Sequence, residues 1–103
     1  MAWWNPFEKK PAVPERPPLP TVHQLCEGLP PGEQGRRLYD LILQAEREYD
    51  EMYEGRSPGG AYANMKDSMT DAIRLARELG LSDKVAMLAR LLEHRQSVFR
   101  SQM

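Results

Sequence analysis

LYDLILQAEREYDEM, residues 38–52, sets Leu38, Ile42, Ala45, Tyr49 and Met52 at successive intervals of four, three, four and three. That rhythm returns to the same side of an α-helix every two turns, whereas a half-buried strand would alternate in twos. Leu41 and Tyr53 widen the stripe. The spacing predicts helix A over about 32–54, with Gly55 as its stop and RSPGG as the connection onward. Ser57 is then a candidate cap for helix B, about 58–79, with Pro58 in the first turn where its missing N–H costs nothing. Tyr62, Met65, Met69, Ala72, Ala76 and Leu79 form the seam of helix B, with Ile73 beside it.

The boundary in ELGLSDKV, residues 78–85, is marked twice. Gly80 suits a left-handed C-terminal cap and Ser82 the next N-cap, with Leu81 able to pack back on Ala86. Helix C follows over about 83–101. Leu81, Val85, Leu88, Leu92 and Phe99 form one seam on it, while Met87, Leu91 and Val98 lie to the flank. A helix greasy on two sides either sits in the crevice between its neighbours or meets another chain, so a homo-oligomer is one expectation. Upstream, Thr21 and Gln24 have the spacing of a capping box opening a short helix, about 22–27, that Gly28 ends. No stretch alternates Val, Ile or Thr with polar residues over a useful length. The fold class expected is all-α: a small antiparallel three-helix bundle, residues 21–103, with an extended proline-rich N-terminal arm, residues 1–20.

In the arm, MAWWNPFEKKPAVPERPPLP, the prolines forbid a helix or central strand and favour extended polyproline-like chain. Trp3, Trp4 and Phe7 ahead of them are read as hooks that dock into a groove, on the bundle or on a partner. Three rival readings are an unstructured tail, a weak membrane contact from tryptophans followed by Lys9 and Lys10, and a P-x-x-P-x-R ligand at Pro11 to Arg16.

With 14 basic and 15 acidic residues in 103, the chain lacks the basic excess of a protein that tracks nucleic-acid phosphates. The charges are nonetheless segregated. Glu33 to Glu54 holds seven acids against three arginines, whereas from Gly80 onward Lys84, Arg90, Arg95 and Arg100 oppose Asp83 and Glu93. An acidic helix can therefore lie against a basic one. One cysteine, no membrane-length apolar run and no apolar leader at the N-terminus make the cytoplasm the expected location.

Groups suited to catalysis are few. His23 and Cys26 are three apart, but a structural metal site needs four ligands, so neither a metal nor a cofactor is expected. Arg90, Glu93 and His94 carry the alternative reading, a small helical enzyme or nuclease component. Their spacing is shorter than the arginine–histidine gap of HEPN-type ribonucleases, and His94 falls away from the main seam. Glu46, Asp50 and Glu54 form a row at successive fourth positions, its later members set unfavourably against the helix dipole. That row is read as a solvated face that pairs with helix C, with a docking face for a basic partner and a divalent-cation site as the alternatives. The functional expectation is a small non-enzymatic helical adaptor that binds a protein through Trp3, Trp4, Phe7, Glu46, Asp50, Glu54, Met87 and Leu91. A peripheral membrane protein anchored by the tryptophans is the third class.

Overall fold

The computed structural model describes residues 19–55 and 57–102. Among them are four helices and no strand: α1 (Val22–Cys26), α2 (Glu33–Glu54), α3 (Pro58–Glu78) and α4 (Ser82–Gln102). Short connections return α3 along α2 and α4 along α3, giving the antiparallel helical bundle that the periodicity predicts. The arm residues Trp3, Trp4 and Phe7 lie outside the described residues.

Local chemistry sets most helix ends. Thr21 Oγ1 accepts from the Gln24 backbone N–H at 3.1 Å, and Gln24 Oε1 accepts from the Thr21 N–H at 2.9 Å, closing the capping box. Gly80 takes φ of 75°, and the Leu81 and Gly80 N–H groups donate to Ala76 and Arg77 carbonyls at 2.9 and 3.0 Å. These two bonds are the pair that satisfies orphan carbonyls where a helix ends in a left-handed residue. Two caps differ from expectation. Ser57 precedes α3 without a side-chain hydrogen bond to it. Ser82 lies within α4, because the Leu81 carbonyl already accepts from Val85 N–H at 3.0 Å.

The buried stripe of α2 is Gly35, Leu38, Ile42, Ala45 and Met52. Gly35 is required by a close approach: a Cβ there would lie 1.8 Å from the Pro30 carbonyl oxygen, so the loop folds onto the helix only over a bare Cα. α3 buries more than its expected seam, since Ala61, Ser68 and Leu75 are covered along with Met65, Met69, Ala72 and Ala76. The widened face serves two neighbours. Ser68 donates to Glu48 on α2 at 2.8 Å, while on the opposite edge Tyr62 stacks on Phe99 of α4, centroids 4.0 Å apart and planes 7° from parallel.

The third helix packs differently from expectation. The midline of α4 is Lys84, Leu88, Leu91 and Arg95, all buried, with the Val85, Leu92 and Phe99 side next to it. Leu91, expected on an uncovered flank, is 7% exposed and belongs to the core, which corrects that placement. The physical reason is that Lys84 and Arg95 find partners inside the bundle, so the inward direction runs between the two apolar sides. No Cα of α4 comes within 8 Å of one in α2 among the described residues. α3 therefore holds the centre, and long side chains span the remaining gap.

Candidate interaction site on the second half of α2

Glu46, Tyr49, Asp50, Tyr53 and Glu54 are three and four apart, so they form two adjoining rows on one side of α2. The first members are held from across the gap. Arg95, 5% exposed, places a guanidinium nitrogen 2.5 Å from Glu46 Oε1, and the same guanidinium lies 4.2 Å over the Tyr49 ring. A buried arginine needs both kinds of partner, a carboxylate to balance its charge and an aromatic face to cover its plane. Tyr49 in turn meets Tyr53 edge to face, with centroids 5.4 Å apart and planes at 89°, and their hydroxyls share a hydrogen bond of 3.2 Å. Burial, then that hydrogen bond, pushes the Tyr49 phenol up to about 12.

The outer members face solvent. Tyr53 is 50% exposed, and Asp50 and Glu54 are exposed beside it. Next to Glu54 an open depression runs over the α2–α3 connection, lined by Glu51, Gly55, Ser57, Gly60 and Asn64 among others. On the other edge of α2, Glu48 is occupied, accepting from Ser68 and from Gln44 Nε2 at 3.2 Å. The acidic row thus divides: Glu46 pairs with α4, and Asp50 and Glu54 stay at the surface. This arrangement can present a fixed aromatic ring between two carboxylates, a combination suited to a guanidinium or ammonium group.

The other sequence-derived candidates are dispersed. Met87 is half-buried against the core. Arg90 is half-buried and His94 exposed. His23 is exposed, 3.9 Å from Glu27. Cys26 is half-buried, and burial raises its thiol pKa against the opposing pull of the Lys84 charge, which disfavours the reactive thiolate. Among the described residues no three His, Cys, Asp or Glu side chains gather in a group that could hold a metal ion. No described helix is long and apolar enough to cross a membrane.

Sequence reasoning missed Arg95, Lys84 and the tyrosine pair. The signal for the cations was present: positions 84, 88, 91 and 95 repeat at four, three and four, the same rhythm as the apolar seams, with a charge at each end. Set against known protein families, curated proteins and solved structures, the chain matches none.

Proposed function

We propose that this chain is a small non-enzymatic, cytoplasmic protein–protein interaction module that docks a basic protein segment on the second half of α2. The observation carrying the reading is Tyr53, half exposed while its ring and hydroxyl are fixed by Tyr49, with Asp50 and Glu54 exposed beside it. Tyrosine is among the residues that dominate interface energetics, and a ring already held in place loses little freedom on binding. The carboxylates would guide a lysine- or arginine-bearing partner toward that ring and reject acidic ones. Trp3, Trp4 and Phe7 are proposed as a second contact to the same partner.

The test is affinity capture of partners from cell extract with the full chain, followed by titration of the purified partner. Tyr53→Ala and the pair Asp50→Lys/Glu54→Lys are expected to weaken that affinity about tenfold or more, with helicity by circular dichroism unchanged. Removing the first twenty residues would weaken it further. Capture indifferent to all three changes would overturn the reading. Ribonuclease activity lost in His94→Ala would replace it with the enzyme, and liposome binding lost in Trp3→Ala/Trp4→Ala with the membrane protein.

A further inference from the structure

The buried faces of the helices are unequal. The buried residues of α2 and α3 are, apart from Ser68, apolar or glycine, among them Leu38, Ile42, Ala45, Met65 and Ala72. α4 brings to the bundle a midline with two buried leucines, Leu88 and Leu91, bracketed by two buried cations. Each cation is tied to a different element. Lys84 Nζ donates to the Gln24 carbonyl at the end of α1 at 2.6 Å, and Arg95 reaches Glu46 on α2. Between α2 and α4 no pair of Cα atoms comes within 8 Å among the described residues, so Arg95 spans the gap to Glu46 and Tyr49.

We propose that α4 is a lid: it opens as a unit about the left-handed turn at Gly80, while α2 and α3 remain paired. Water offers both cations a full replacement for their buried partners, and a buried ion pair adds little net stability because its desolvation opposes its attraction. The latches therefore fix where α4 sits without holding it strongly shut. α4 packs on the core through Leu88, Leu91, Val85, Leu92 and Phe99, but less extensively than α2 and α3 pack on each other, and an element joined by the smaller contact and by releasable polar bonds opens at lower free energy than the rest of its domain. The hinge suits this role, since the Gly80 cap bonds belong to α3 itself and survive the departure of α4. Opening uncovers the edge of α3 that carries Tyr62, whose ring is stacked on Phe99 in the closed form.

Native-state hydrogen exchange followed by mass spectrometry on the full chain tests the lid. Corrected for intrinsic rates, α4 amides should exchange about tenfold or more faster than those of α2 and α3. Ser68→Ala, which removes the bond to Glu48 between α2 and α3, should accelerate α2 and α3 and leave α4 unchanged, because that bond persists when the lid opens. Arg95→Ala should accelerate α4, and Glu46→Ala, which strands the buried guanidinium in the closed form, provides a second variant should the first fail to fold. One common rate for all three helices, moved equally by Ser68→Ala and by either latch variant, would overturn the proposal.

Discussion

Arg95 and Glu46, 49 positions apart in sequence, join α4 to α2 through a guanidinium–carboxylate contact of 2.5 Å across a space no pair of backbone Cα atoms closes to 8 Å. The two ends of the bond are unequally placed. The Arg95 side chain is 6% exposed and that of Glu46 is 35% exposed.

That asymmetry predicts unequal costs of mutation. Glu46→Ala leaves a buried guanidinium without its carboxylate and should destabilise by about 2–3 kcal/mol, below the usual range for a buried pair because water already reaches Glu46. Arg95→Met keeps the apolar stem and frees a carboxylate able to hydrate, so its stability should lie within about 1 kcal/mol of the unmodified chain. Urea unfolding monitored by circular dichroism measures both.

Lys84→Met should remove the donor that satisfies the Gln24 carbonyl and cost about 1–3 kcal/mol. The loss should centre on α1, where Leu25 is fully buried, and amide exchange at Leu25 should rise more than in α3.

Two glycines should respond in opposite directions. Gly35→Ala drives a methyl into the Pro30 carbonyl and is expected to cost about 2–3 kcal/mol or to displace the loop. At Gly59, in the first turn of α3, a Cβ meets nothing within 4 Å, so Gly59→Ala should stabilise by about 0.5–1 kcal/mol by restricting the unfolded chain. The melting temperatures of the two variants should fall on either side of the parent's.

Tyr49 predicts an alkaline limb. Its phenol titrates at about 12 when folded against 10.0 ordinarily, so above pH 10 the unfolded chain releases this proton first and binds fewer protons than the native state. The contribution is complete below pH 10 and is lost as pH rises from 10 through 12. Tyr49→Phe should flatten that part of the stability–pH curve, measured by denaturant midpoints across the interval.

The sequence by itself determined where the helices lie and how most of them end. Apolar spacing of three and four, the Thr21–Gln24 pair and Gly80 act through neighbours a turn away, so their physics is complete within a short stretch of chain. The α2 stripe was legible for the same reason; the expected packing of the acidic helix against the basic one is reduced, among the described residues, to the Glu46–Arg95 contact, because α3 lies between them. What only the tertiary structure decided is the rotation of α4 and the use of α2's outer rows. Lys84 and Arg95 read as surface charges until a carbonyl and a carboxylate from distant segments make their burial tolerable, and that turns Leu91 inward. Tyr53 is held in place through Tyr49, whose own ring lies under Arg95. A charge's burial depends on the partner that folding brings to it, and hydrophobic periodicity carries no record of that partner.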